Sequence, residues 1–535
     1  MRANSLKASL ALAASLVANA VAQDVKANNA TLPVSFFYTR PQSSAPALNI
    51  TLSDSTQATG FTPGYIFIAP YQAAKSGPYI YDKFGNLVWD GYGVVGSETA
   101  HDFRVCTYQG SDHLCMSQMN QQYGYGIGQA LVINSDYKPV AAVNTGGQAP
   151  PADEHEFQLL NNGETAILSA YRVIPYDLSG FNITSGQGWL SEGMFQEVNV
   201  TTGEVLFEWF STNHVDPSNT RILPNSTDVG GNGFSPATPF DYFHINSIDK
   251  SPSGNYLVSG RHVSTLYYVN ATDRTTIWQL SYLGQSDFSC TNFNFSMQHD
   301  ARIVSENDTT TVISIFDNAS NNFNNTADQS SGMVIALDHN NGTATLLSQT
   351  FFPGEGILST SQGNTQLLSN GGVFHGWGNQ AFVSEHSPNG TCVLLAQFAD
   401  GSAMNYRAFS MEWQSTPSFT VPDVYTYALN TSTPTRIYVS WNGATTVATW
   451  RFYGGTGIGG QPFEVLGTAG HAGFETFYQA DAFYPWTMVE AVGPDGTSLR
   501  NSSFQPTFVP GEALAASCTV EGCPVASSYA NGATT

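Results

Sequence analysis

The stretch Thr202-Gly203-Glu204-Val205-Leu206-Phe207-Glu208-Trp209 joins a polar, Gly-containing turn to a run that alternates around Val205, Phe207 and Trp209. A turn of this kind followed by period-two alternation is a hairpin signal. The same unit recurs at Lys83-Phe84-Gly85-Asn86-Leu87-Val88-Trp89, Asn162-Gly163-Glu164-Thr165-Ala166-Ile167-Leu168 and Ser253-Gly254-Asn255-Tyr256-Leu257-Val258. It returns at Asn341-Gly342-Thr343-Ala344-Thr345-Leu346-Leu347, Asn370-Gly371-Gly372-Val373-Phe374 and Asn389-Gly390-Thr391-Cys392-Val393-Leu394. The units pair at roughly 40 to 50 residues, the spacing of propeller blades. The sequence therefore predicts an all-β fold with a β-propeller of about six blades over residues 60–415, ahead of the alternatives of a long β-sandwich or a β-helix.

Outward from the propeller, composition changes near Ser415-Thr416-Pro417. Short strand-like runs follow, among them Arg436-Ile437-Tyr438-Val439-Ser440-Trp441, Val447-Ala448-Thr449-Trp450-Arg451-Phe452-Tyr453 and Thr487-Met488-Val489-Glu490-Ala491-Val492. They suit a small fibronectin-like β-sandwich over residues 422–505, with a flexible, small-residue tail over 506–535. At the other end, Arg2 and Lys7 precede an apolar run from Leu10 to Val21, which reads as a signal peptide over residues 1–22 cleaved after Ala22. Residues 23–59 form an extension before the first blade, and no later run approaches the roughly 20 apolar residues of a membrane helix.

An exported chain gives two further patterns meaning. Asn-x-Ser/Thr sequons stand at Asn29, Asn49, Asn182, Asn199, Asn225, Asn270, Asn307, Asn324, Asn341, Asn389, Asn430 and Asn501, and also at Asn294 and Asn318. Their density points to a glycosylated eukaryotic product. Six cysteines in an oxidising route suggest disulfides. Cys106 and Cys115 flank a turn that would set them on facing strands; Cys518 and Cys523 suit a local loop; Cys290 with Cys392 follows by elimination. Net charge is −23 with 11% charged residues, a poor match to nucleic acid or anionic membranes, which need cationic contacts. No Cys/His spacing matches a structural zinc site, so neither metal nor cofactor is expected.

Chemistry concentrates in Phe295-Ser296-Met297-Gln298-His299-Asp300-Ala301-Arg302-Ile303 and Ile315-Phe316-Asp317-Asn318. Inner strands of a propeller converge on one axis, so residues distant in sequence can meet there. His244 and Asn246 share one side of Asp241-Tyr242-Phe243-His244-Ile245-Asn246-Ser247-Ile248, and His375 lies in Val373-Phe374-His375-Gly376-Trp377-Gly378-Asn379. His155, in Asp153-Glu154-His155-Glu156-Phe157, is a weaker candidate. A lone His in a strand is ordinarily a hydrogen-bonded structural residue. Several imidazoles beside a guanidinium instead suit transfer of an anionic group, because imidazole can be nucleophile, acid and base while Arg neutralises charge.

Taken with Gly376-Trp377-Gly378 and Tyr406-Arg407-Ala408-Phe409 near Trp413, these segments resemble the fungal arylsulfotransferase family from about Thr39 to Asn501. The resemblance implies kinship with the bacterial aryl sulfate sulfotransferases. Those are six-bladed propellers that pass sulfate between phenols through a sulfated histidine, without nucleotide donor or metal. It implies that His244 and His299 belong to the central site, while His375 joins them by its chemistry and not by a motif. The catalytic candidates are then His375 or His299 as nucleophile, His244 as acid or base and Arg302 neutralising sulfate, with Asp241, Asn246, Asp317, Asn318, Trp377 and Arg407 as substrate-binding candidates. One departure stands out: relatives carry Ser-Arg-Gly where this chain has Ser330-Ser331-Gly332, leaving no Arg between Arg302 and Arg407. The expected function is a secreted, monomeric arylsulfotransferase-like enzyme acting on small aromatic or phenolic substrates. Two alternatives stand beside it: an acid–base isomerase or cyclase of secondary metabolism working on an aromatic or terpenoid molecule, and a non-catalytic glycan-binding propeller. A glycosidase is a weaker variant, since Asp241, Asp300 and Glu385 show no spacing that fixes a catalytic pair.

Overall fold

The computed structural model describes residues 34–52, 60–73, 75–96, 98–122, 124–224, 230–457 and 463–524. The predicted signal peptide, with Asn29 and Asn225, lies outside them. All seven hairpin units fall on turns between paired strands. Their turn glycines take positive φ, from 61° at Gly342 to 93° at Gly254, a region that a side-chain-bearing residue enters only at a cost.

Between Leu48 and Met411 the strands group into six sheets of four or five strands, antiparallel except where Ser289–Thr291 joins Thr343–Phe351 in parallel, and these are the blades. Blade two runs Thr99–Tyr108, Ser111–Gln121, Gly126–Ile133, Pro139–Val143 from its inner to its outer strand. Blades three, four, five and six begin with inner strands Phe157–Leu160, Ile245–Lys250, His299–Glu306 and Asn364–Leu367. Blade one takes its inner strand, Phe409–Met411, from the far end of the propeller and pairs it with Tyr65–Ile68. Leu48–Leu52 adds a fifth strand to the outer edge of blade six by pairing with Cys392–Phe398. Each blade packs on the next, and blade six returns to blade one.

Alternation along each strand buries side chains between blades. Trp209, Phe243 and Tyr267 fill one such layer, Leu266, Ile313 and Ile335 another, and Phe67, Trp89 and Phe103 a third. Ring closure is reinforced by a buried ion pair: Lys83 Nζ lies 2.6 Å from Glu385 Oε2, and Glu385 Oε1 accepts from the backbone N–H and hydroxyl of Thr62.

The chain divides into two compact units: one extends to Asp423 and takes in Trp441–Val447, the other comprises Val424–Ser440 and the chain from Ala448 onward. In the second, the sheet of Asp423–Tyr427, Arg436–Ser440 and Glu475–Gln479 accompanies one built on Thr449–Gly455 and Trp486–Val492. Phe452 of one sheet stacks on Tyr478 of the other at 4.5 Å, giving a small sandwich. Beyond it lie a short helix, Glu512–Ala515, and the Cys518–Cys523 disulfide.

Cys106 and Cys115 are bonded across the blade-two hairpin. The expected third disulfide is corrected: Cys290 and Cys392 carry free thiols. Cys290 lies on an added edge strand of blade five and Cys392 on an outer strand of blade six, so elimination paired residues that belong to separate sheets.

Candidate functional site

Inner strands of the blades carry irregularities where they meet near the axis. Strand register shifts between His101 and Arg104, between Ile245 and Ser247, and between His299 and Arg302. Asp102, His244 and Asp300 have φ of 53°, 54° and 52°. Such bulges re-aim side chains, and a non-glycine residue held there costs on the order of 1–3 kcal/mol. Two groups of polar side chains result.

The first is an ionic hub. Arg407, wholly buried, donates from Nη1 to Asp102 Oδ1 (3.0 Å) and from Nη2 to the Asn246 carbonyl (2.9 Å), with Glu156 Oε2 at 3.3 Å and Asp300 Oδ1 at 3.4 Å. Arg302 donates to Glu156 Oε2 and to Asp300 Oδ1, both at 2.8 Å. Arg104 approaches Asp102 Oδ2 at 3.3 Å and Glu156 Oε1 at 3.7 Å. Three guanidiniums thus face three carboxylates. Burial works to raise Glu156, but Arg302, Arg407 and Arg104 together hold it down at about 2. Arg302 and Arg407, the expected sulfate-neutralising residues, are engaged by these carboxylates.

The second group is a cluster of buried imidazoles. His244 Nδ1 donates to Asp241 Oδ2 at 2.6 Å, and the other carboxylate oxygen accepts the His244 backbone N–H at 3.0 Å. Blade three repeats the arrangement: His155 Nδ1 lies 2.6 Å from Asp153 Oδ1, which also accepts the His155 backbone N–H. The two rings meet edge to face with centroids 4.9 Å apart. No described residue hydrogen-bonds Nε2 of either ring. In both, a carboxylate on Nδ1 orients the ring and leaves Nε2 for chemistry, as a lone pair on a neutral ring or as an N–H on a charged one.

The two dyads differ in proton affinity. Burial disfavours the His155 imidazolium, but Asp153, with Glu154 and Asp241, outweighs it and raises the ring above its ordinary value. His244 is held well below it by burial, by His155 and by Arg261. Burial also pushes Asp241 up to about 6. Near neutral pH, His244 is therefore a neutral imidazole hydrogen-bonded to a carboxylate, beside a His155 that favours its cationic form. Environments that split two like groups in this way assign base and acid.

His299 joins the cluster with its ring centroid 6.5 Å from that of His244. Its Nδ1 donates to Asn318 Oδ1 at 2.7 Å, and its Nε2 accepts the Gln362 backbone N–H at 3.1 Å. Both nitrogens are engaged, so His299 supports the site more readily than it attacks. Asn318 is held by the carbonyls of Ser359 and Gln362, which also engages the amide that its sequon would offer for glycosylation. Tyr171 and Tyr406 flank His155, with ring centroids 5.7 and 5.5 Å away.

The remaining predicted residues lie outside this contact set. His375 sits on the second strand of blade six beside Trp377 and His386, at 5.3 and 5.4 Å, and a Cβ on Gly332 of blade five would meet its ring at 2.1 Å. Burial and His386 push it down to about 3. Trp377 donates to Ser384 Oγ and packs on Phe316 and Phe352. Asp317 accepts the backbone N–H groups of Ser296 and Ala319, and Asn246 donates to the Gln298 carbonyl.

Arg261 and His262 lie in none of the sequence motifs, yet the His262 ring lies 4.7 Å from that of His244; His155, the weaker candidate, meets the same ring. Also outside those motifs, His101-Asp102-Phe103-Arg104 repeats the His-Asp-x-Arg pattern of residues 299–302 and was a legible signal. Asp241, His244 and His262 bring ligand-type atoms within 4.8 Å of one another, as do Asp153, Glu154 and His155. The short contacts within these groups are already hydrogen bonds to ring N–H groups, so the donors suit oriented imidazoles better than a metal cage. A separate cavity of about 490 Å³ lies at the outer strands of blade three, lined in part by Arg172, Phe207, Phe210 and Arg274, and none of these imidazoles borders it.

Among solved structures, the chain is similar to a protein of unknown function from Bacteroides caccae, at 12% identity and TM-score 0.37 over 65% of this chain and 98% of that one. It is also similar to the GH43 protein BlXynB from Bacillus licheniformis, at 10% identity and TM-score 0.30 over 77% and 90%. A third is Kuenenia stuttgartiensis hydrazine synthase, at 9% identity and TM-score 0.23 over 68% of each chain. No curated relative matches the sequence. The model of the family described as Arylsulfotransferase (ASST) matches residues 105–399, more than half of the chain and the span that carries His155, His244 and His299. The chain belongs to the arylsulfotransferase family.

Proposed function

We propose that this protein transfers sulfate from an aryl sulfate to a phenolic acceptor, with His244 as nucleophile and His155 as acid and base. The observation that carries the reading is the pair of Asp–His dyads, 4.9 Å apart between ring centroids and of opposite proton affinity. In the first half-reaction, Nε2 of His244 attacks sulfur as the sulfur–aryl oxygen bond breaks, and His155 gives its proton to the departing phenolate. In the second, neutral His155 takes the proton of the incoming phenol, whose oxygen attacks sulfur as the nitrogen–sulfur bond breaks. Sulfate changes partner, both histidines return to their starting state, and no nucleotide or redox partner is consumed.

Tyr171 and Tyr406 supply aromatic edges suited to aryl groups on either side of the transfer. Residues 1–22 address the protein to the secretory route, where the exposed Asn182, Asn307, Asn324, Asn341, Asn389, Asn430 and Asn501 are acceptable glycan sites and the two disulfides persist. Among the described residues no helix is long and apolar enough to cross a membrane. Purified protein given an aryl sulfate and a second phenol should show ping-pong kinetics. An intersecting-line pattern, or no turnover by folded protein, would contradict the proposal.

One observation favours a second reading. Because Arg302 and Arg407 are engaged in the hub, the dyads could instead run acid–base isomerisation of an aromatic substrate. That reading predicts turnover without consumption of any aryl sulfate.

A further inference from the structure

The turn after blade four's second strand, Tyr256–Gly260, places Arg261 and His262 directly behind His244. The Arg261 N–H donates to the His244 carbonyl at 3.0 Å, and the His262 N–H donates to the Phe243 carbonyl at 3.0 Å. Arg261 is 1% exposed. Its Nη1 lies 2.9 Å from His262 Nε2, and its Nη2 donates to the Thr360 carbonyl at 2.9 Å. A guanidinium can only donate, so His262 Nε2 is the acceptor and the ring proton sits on Nδ1. That Nδ1 in turn donates to the Asp241 main-chain carbonyl at 2.5 Å. Thr360 belongs to the segment whose Gln362 N–H binds His299, so Arg261 ties blade four to the support of His299.

We propose that Arg261 is the positioning residue of the Asp241–His244 dyad, fixing the tautomer of His262 so that His262 grips the Asp241 main chain while the guanidinium sets a permanent positive charge behind the His244 ring. The assignment rests on the reading of His244 as nucleophile. Nothing in the motifs points to it, because Arg261 lies between the segments that carry them.

The groups facing His244 define what a charge change should do. They are Asp241 on its own segment, His155 and Tyr171 from blade three, Arg261 and His262 from the adjoining turn, and His299 from blade five. Asp153 stands behind His155. Arg261 and His155 both disfavour a proton on His244. Arg261 also favours the ionised Asp241. Removing Arg261 should therefore move the titrations of both His244 and Asp241 to higher pH, and with the latter the acid limb of activity.

The test uses full-length protein with Arg261→Gln and Arg261→Lys, read by ring-¹⁵N NMR titration of His244 without substrate and by the pH profile of kcat/KM on an aryl sulfate. Arg261→Gln should shift the His244 titration upward and lower kcat/KM by about 10- to 100-fold, the range for groups that orient a functional imidazole. Arg261→Lys should restore the titration while recovering only part of the activity, since one ammonium cannot reproduce the fork. A folded Arg261→Gln protein with an unmoved His244 titration would overturn the proposal. Absence of aryl sulfate turnover in the unmodified protein, with the titration still shifting in Arg261→Gln, would instead refute the sulfate-transfer reading and leave the role of Arg261 standing.

Discussion

The ionic hub and the imidazole cluster draw on the same bulged inner strands, yet one is closed chemistry and the other open. In the hub, Arg104, Arg302 and Arg407 face Asp102, Glu156 and Asp300, and charge balances within the group. In the cluster, two carboxylates hold Nδ1 of two histidines and leave the opposite nitrogens unengaged by any described residue. Functional readiness follows from which atoms lack a partner. The richness of a segment in charged residues is a poor guide: Asp300 and Arg302 of the His299-Asp300-Ala301-Arg302 motif both go to the hub.

The contrast predicts that the cluster answers to activity and the hub to stability. The largest effect should come from His244→Asn, chosen because Asn tolerates the positive φ of that position. Turnover of an aryl sulfate should fall on the order of 10⁵-fold, with an unchanged thermal midpoint; residual activity within tenfold of the parent would remove His244 as nucleophile. Next is Arg407→Met, which leaves the hub with one uncompensated buried carboxylate. Chemical denaturation should show a loss of about 3–5 kcal/mol, and a stability unchanged from the parent would mean that the hub does not hold the inner strands.

His155→Gln should lower kcat by about 10²- to 10⁴-fold, the usual value of a general acid, and least for donors with the best phenolate leaving groups. A loss independent of the leaving group would assign His155 a different role. The two regions should also part on acidification. Asp241 lies at about 6, so protonation there loosens His244 and activity should fall below about pH 6; a basic limb should follow as His155 loses its proton above its ordinary value. Glu156 is depressed from 4.5 to about 2. Its stabilisation is therefore complete above pH 4.5 and disappears only as pH falls toward 2. Activity should vanish reversibly while the fold persists; coincident loss of both would break the distinction. Smallest of all, His375→Leu should change kcat/KM by less than about twofold, as for a packing substitution remote from the chemistry.

Much of the fold was legible because hairpin turns are local chemistry. Asn-Gly and Ser-Gly pairs force positive φ, and alternation then marks the strands, as at Gly254 and Tyr256–Gly260. The closure of blade one by Phe409–Met411 left no such mark, since it joins residues more than 300 positions apart. The site was legible in part. His244 and His299 do meet, whereas His375, one residue along a similar strand pattern, faces the packing layer of blades five and six. A bulge shifts side-chain direction by one residue, and the sequence offers no sign of it apart from the His-Asp-x-Arg repeat. Arg261 stayed hidden because its role is relational: nothing in Gly260-Arg261-His262 announces that it lies behind Asp241.

The most direct test is to trap the half-reaction. Stoichiometric protein incubated with an aryl sulfate and no acceptor, then digested and analysed by mass spectrometry at neutral to basic pH, should carry one SO₃ group on His244, with one equivalent of phenol released and no adduct in His244→Asn. Phenol released without an adduct, or an adduct on another residue that survives His244→Asn, would contradict the account.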